Sequence, residues 1–325
     1  MSTQERKRMN IFRKITSYRE SMIIIIFLLL CAVTTIVNPA FIRSRNLISI
    51  ARSVSLDLLP AIGVTLVIAC GSMDLSCGAT LGLVGIVFGY LYGMQGMNIW
   101  LAFAIAMVVS VAIGAVIGVI VANLNVHPMI VSLAMQKVCR GLIDVIAGGR
   151  SMTGFSDAFN EIGQGTLFDI PYTIFYALVF LILAVIFTKR TVCGRIFIAI
   201  GGNREATRLC GINVKRYKVV VHIICSVLAG LSGIMLASRL GSAQPTAGTS
   251  QDLNVVAACI LGGNSLAGGV ATMVGTLVGV AIMATITVAL TMMRVSAYWQ
   301  NVCVGVILII AVCMDDIKNM AKLKA

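Results

Sequence analysis

Apolar runs of roughly 17 or more residues recur along this chain, each long enough to cross a ~30 Å hydrocarbon core as a helix. Only 11% of the 325 residues are charged, and mean hydropathy is +0.99. Soluble domains carry about 25% charged residues. The chain therefore reads as an all-α polytopic membrane protein, one transmembrane domain over residues 1–325. Ten membrane segments are expected, at about 22–37, 54–70, 78–93, 99–122, 128–147, 172–188, 219–237, 253–268, 272–291 and 299–314. The first run is not followed by a small-residue cleavage site, and Asn38-Pro39 comes directly after it, so it reads as a retained span.

The net charge of +13 is concentrated rather than spread. Seventeen of the 25 Lys/Arg lie in Met1–Glu20, Lys189–Lys218 and Lys318–Lys324. The positive-inside rule places both termini and the loop at about 189–218 in the cytoplasm. An even number of spans agrees with that placement, although Arg43 and Arg45 would lie outside. Such clusters imply orientation and contact with anionic membrane lipid, not nucleic acid. By the same count Gly148–Pro171 and Arg239–Asp252 face outward. The ten cysteines sit mostly within apolar runs without metal-ligand spacing, so neither a disulfide nor a metal site is expected.

Two Gly-rich interruptions, GSMDLSCG (Gly71–Gly78) and GGNSLAGG (Gly262–Gly269), break apolar runs just before small-residue helices. They match at an offset of 191, which fits either an internal duplication or glycine bias alone. Small residues four apart at Gly82–Gly89, Gly114–Gly118 and Gly275–Gly279 imply close helix packing.

No phosphate loop, HExxH, GxSxG or paired-cysteine motif occurs, so the chain is expected to be no enzyme and to bind no cofactor or metal itself. Of the two histidines, His222 sits in an apolar run and reads as packed or hydrogen-bonded rather than catalytic. Ionisable and amide groups within membrane runs are costly against lipid and mark candidate pathway residues: Asp57, Asp74, Gln136, Lys137, Arg140, Asp144, Asn254 and Asn264. Gln136, Arg140 and Asp144 share one helical face, where Arg140–Asp144 is either pathway lining or an intrahelical ion pair. Asp74 and Asn264 sit at the breaks, where freed backbone can turn toward a cavity. Aromatics amount to 6%, too few to line a tight stacking site, which points to a low-affinity passage.

In the basic loop, Asn203 reads as an N-cap, Glu205 as first-turn acid, Arg208 as last-turn base and Gly211 as the stop of a short helix. Such a defined shape suits a docking element, with a lipid-facing amphipathic helix or a solvated loop as the plainer readings.

The stretches GRIFIAIGGNREATRLCGINVKRYKVVV and SRLGSAQPTAGTSQDLNVVAACILGGNSLAGG strongly resemble the permeases of ribose-type sugar ABC importers. GSMDLSCG is similar to that family's GGIDLSVG, and HPMIVSLAMQKVCRGL to its PPFIVTLGMMSIARGL-like segment. Ser72, Cys77, His127 and Met129 depart from the pattern. The resemblance implies a type II-importer-like permease in a bacterial cytoplasmic membrane, moving a monosaccharide or related polyol inward. It implies a cytoplasmic ABC ATPase subunit that uses the ATP, an extracytoplasmic sugar-binding protein, and a second permease copy or sister permease. The coupling element it implies comprises Gly202, Asn203, Glu205, Ala206, Arg208 and Gly211. The rival readings are an ion-coupled secondary transporter and a non-transporting membrane receptor or scaffold.

Overall fold

The computed structural model describes residues 19–309, apart from 125 and 297, together with residue 313. Most of the basic N-terminal segment, the whole of Lys318–Lys324 and the end of the expected 299–314 segment lie outside the described residues. The helices in chain order are α1 (Arg19–Val37), α2 (Ser44–Ala69), α3 (Cys77–Phe88, continued by a π-helical turn Gly89–Met94), α4 (Ile99–Asn123) and α5 (Pro128–Ala147). There follow α6 (Asp157–Gln164), α7 (Tyr172–Arg190), α8 (Val192–Gly202), α9 (Arg204–Leu209), α10 (Val214–Leu240), α11 (Gln251–Leu261), α12 (Met273–Met292) and α13 (Tyr298–Ile309). A two-residue antiparallel pair, β1 (Thr166–Leu167) with β2 (Ile170–Pro171), sits just before α7.

The all-helical membrane architecture holds, but among the described residues six helices, not ten, are long and apolar enough to cross a membrane: α2, α3 with its π turn, α4, α7, α10 and α12. The 253–268 run fails because α11 stops at Leu261, giving 11 residues, or about 16 Å of helix against a ~30 Å core. Helix α5 has the length, but Lys137, Arg140 and Asp144 interrupt its apolar character. Helices α1 and α13 appear as the shorter apolar stretches Ile23–Val37 and Tyr298–Ile309. Helix α2 begins ten residues before the expected 54, since Arg45, Arg52 and Asp57 dilute the hydropathy of its first half without stopping the helix.

Helix α10 is the central post, packed against α4, α3 and α2. Small residues let it approach. A Cβ on Gly114 would lie 2.6 Å from the Ile223 Cα, and one on Gly118 2.7 Å from the Val219 Cα. Ser110 of α4 donates a 2.6 Å hydrogen bond to the Ser226 carbonyl. Pro60 removes the amide that would bond the Leu56 carbonyl within α2. Ser232 of α10 donates to that carbonyl instead, at 2.7 Å, which satisfies a group that lipid could not.

The two segments expected on the outer side join each other. Met152 and Ala243 exchange backbone hydrogen bonds at 2.8 and 2.9 Å, and Gly163 N–H donates to the Ser238 hydroxyl at 2.8 Å. Phe88, Tyr92, Phe155 and Phe159 cluster at that end, with ring centroids 5.0–6.1 Å apart.

Candidate functional site

The residues singled out from sequence fall into four places, with Asp57 and Asn254 in a crevice apart from them. At the first, Asn203 caps α9 by accepting from the Ala206 amide at 2.9 Å. Thr207 Oγ1 donates back to the Asn203 carbonyl at 2.8 Å. Glu205 and Arg208 form an exposed ion pair at 2.5 Å, in the order that the helix dipole favours. Gly211, at φ +81°, ends the turn. Asn213 then caps α10 through the Arg216 amide at 3.2 Å. The α9 surface is open: Gly202, Asn203, Glu205, Ala206 and Arg208 are exposed, and Leu209 is 78% exposed. Within α9 Thr207 is buried, and Phe197 and Ile200 of α8 and Val214 are buried before and after it in the chain.

The first break follows α2. Asp74, 1% exposed, accepts from the Ser76 amide (2.8 Å) and hydroxyl (2.6 Å) with one oxygen. Its other oxygen lies 3.2 Å from Nδ1 of the fully buried His222. Nε2 of that ring is 3.0 Å from the Ser72 hydroxyl. The order Ser–His–Asp mimics a nucleophile relay, but all three side chains are sealed in the interior. The arrangement ties Ser72 and Asp74 of the break to α10 through one imidazole. Asp74 thus turns into packed protein rather than an open cavity, and Ser72, a departure from the family pattern, supplies one end of this tie.

The second break follows α11. Asn264, also 1% exposed, donates to the Cys259 carbonyl (2.8 Å) and the Thr276 hydroxyl (2.9 Å), and accepts from the Thr272 amide (2.9 Å). Thr65 of α2 closes the knot at 2.7 Å from Thr276. Both breaks begin with the same helix-ending turn: amides 71 and 72 bond carbonyls 68 and 67, and amides 263 and 264 bond carbonyls 260 and 259. The structural register is therefore 192, one more than the offset read from the glycines. Gly71 has φ +68° and pairs with Gly263 at +86°, whereas Gly262 is right-handed at −66°. The same turn closes α10 at Gly241, so this likeness does not by itself argue duplication.

The fourth place lies over the N-terminus of α3, and its organising residue is Asp252, which sequence reasoning passed over. One Asp252 oxygen accepts from the Gly78 amide at 2.5 Å, and the other from Gln136 Nε2 at 2.6 Å. A carboxylate at a helix N-terminus meets unpaired amides and the positive end of the dipole. Arg140 reaches over the same loop to the Ala247 carbonyl at 2.8 Å. Asp144 is exposed and makes no ion pair with Arg140, and Lys137 is exposed beside them. Asn254 is half-buried and lines a crevice with Asp57 between α2, α11 and α12. Asp57 itself accepts from Gln251. Among the described residues no three His, Cys, Asp or Glu side chains are grouped to hold a metal ion.

Residues 46–312 match the family described as branched-chain amino acid transport system / permease component. The chain belongs to this permease family. The permease is 38% identical, over 98% of its length, to the whole of the ribose import permease protein RbsC of Escherichia coli (strain K12). It is 38% identical over 90% of its length to 91% of the protein of that name from Bacillus subtilis (strain 168). To the galactose/methyl galactoside import permease protein MglC of Escherichia coli (strain K12) it is 32% identical, over 95% of its length and 97% of that protein's. No solved structure matches the permease.

Proposed function

We propose that this permease is the membrane subunit of an ATP-driven importer that carries a monosaccharide or related polyol into a bacterial cell by alternating access. The observation that carries this reading is the near full-length likeness to permeases named for ribose and galactose import. In this reading a cytoplasmic ABC ATPase seats against α9 and uses the ATP, so that the chain binds no cofactor of its own. An extracytoplasmic sugar-binding protein delivers the solute, and a second copy or sister permease completes the path. The exposed, doubly capped α9, with Leu209 and Arg208 presented outward, suits such a seat.

Helices α1, α5, α11 and α13 then lie within the membrane beside the six long spans, with α11 a half-length segment. Both termini and α9 face the cytoplasm. The solute path runs by the α5 face carrying Gln136, Arg140 and Asp144, with Asn254, because exposed charge at membrane depth requires water or protein opposite. Asp74 and Asn264 act behind that face, holding the breaks. Differential contact of the ATPase with two states of the permease is what biases access.

The test is uptake of radiolabelled ribose, galactose and arabinose into proteoliposomes holding the permease with its co-purified ATPase and binding protein. The expected result is uptake of one of these sugars that needs ATP, stops with vanadate and survives a protonophore. Uptake that ignores ATP and collapses with the protonophore would favour an ion-coupled transporter. No flux of any of them would favour a receptor.

A further inference from the structure

We propose that four glycines, Gly71, Gly201, Gly268 and Gly269, form a side-chain-free junction that passes movement of α9 to both helix breaks, which makes them positioning residues for transport. This rests on the proposed role of α9 as the ATPase seat. The two breaks meet directly, where the Gly269 amide donates to the Ala69 carbonyl at 3.0 Å. Gly201, near the end of α8, sits on that bond: a Cβ there would lie 1.9 Å from the Ala69 oxygen and 2.6 Å from the Gly269 nitrogen. A Cβ on Gly268 would lie 2.9 Å from the Gly201 carbonyl and 3.0 Å from the Gly71 Cα. One on Gly269, at φ +76°, would lie 3.0 Å from the Gly202 Cα.

Two residues after Gly201 comes Asn203, the cap that α9 holds through Ala206 and Thr207. A displacement of α9 therefore pulls on Gly201 within two peptide units. Backbone pressed on backbone has no rotamer with which to absorb that displacement. Beyond the junction, the first break carries Asp74 and the N-terminus of α3 under Asp252. The second carries Asn264 and the N-terminus of α12. One push thus reaches the ends of two membrane helices.

Hydrogen–deuterium exchange on the intact permease–ATPase complex in nanodiscs, with and without ATP and vanadate, tests this. In the wild-type complex, exchange is expected to change at residues 203–211 and, together with them, at 69–77 and 262–272. In Gly201→Ala the change at 203–211 should persist while those at both breaks disappear. Sugar uptake should fall roughly tenfold with ATP hydrolysis within about twofold of wild type, the mark of lost coupling rather than lost assembly. Gly305→Ala, where a Cβ meets open space, should change none of these readings. Wild-type uptake by Gly201→Ala overturns the proposal. Should that variant fail to assemble, the wild-type complex decides alone, since a response at 203–211 without one at the breaks also overturns it. No response at 203–211 in the wild type would sink the coupling role of α9 and the junction together.

Discussion

Asn264 uses its whole amide inside the protein, bonding α11, α12 and the break between them. Asn264→Ala should leave the half-buried Thr272 amide without this partner, at a cost of about 1–3 kcal/mol. Thermal unfolding in detergent should show a Tm lower by a few degrees; an unchanged Tm would mean the break does not depend on this side chain. Gln136 and Asp252 should behave as a pair. A double-mutant cycle with alanine at both positions should give a coupling of about 1–3 kcal/mol, since one partner is a carboxylate and the site is half-buried. Additive effects would show that Asp252 serves only the Gly78 amide. Sequence made Asn264 and Asp74 legible because a polar group inside an apolar run needs a reason. Asp252 escaped because it closes a polar stretch, Arg239–Asp252, where a carboxylate needs none. Only the folding of residues 241–250 back over α3 gives it a helix N-terminus to cap.

Helix α9 has six residues, too few to persist without its caps. Asn203→Ala should fray it, with a cap loss of about 1 kcal/mol, and lower ATP-dependent uptake without altering membrane insertion. Arg208→Glu removes the ion pair and sets a like charge at i,i+3 against Glu205. It should cut uptake by roughly tenfold, the scale of one lost hot-spot contact. Exchanging both charges, Glu205→Arg with Arg208→Glu, separates two roles. If the ATPase reads Arg208 itself, the exchange variant stays inactive; recovered uptake would show that only the pair matters. This helix was legible to the residue, since caps, dipole order and a glycine stop are local chemistry. The breaks were legible as places but not as turns. The match of glycines suggested an offset of 191, while backbone geometry sets Gly71 opposite Gly263. Hydropathy also placed the start of α2 too late, because a helix tolerates Arg45, Arg52 and Asp57 that a hydropathy reading does not.

At the scale of the whole molecule, which side each loop faces decides whether import through α9 is possible at all. Residues 148–171 and 241–250 are tied together by the Met152–Ala243 pair and so occupy one side. Between Phe168 and Cys210 the chain has one helix able to cross, α7, and then α8, whose 11 residues span only about 16 Å. Phe168 and Cys210 must therefore lie on opposite faces. Both are reachable: Phe168 is 89% exposed at the tip of the β1–β2 turn, and Cys210 is exposed beside α9. With eight Lys/Arg in Lys189–Lys218, the positive-inside rule makes the cytoplasmic face the one expected for Cys210. In a background with Cys313, which is also exposed, replaced by serine, a membrane-impermeant maleimide should label Cys210 in inside-out vesicles and not in intact spheroplasts. With Cys210 also replaced by serine and a cysteine substituted for Phe168, labelling should occur in spheroplasts. Labelling of both positions from one side would require a second crossing within α8, which its length forbids. The reverse pattern would keep the fold intact but turn α9 away from cellular ATP, and the importer reading would fall with it.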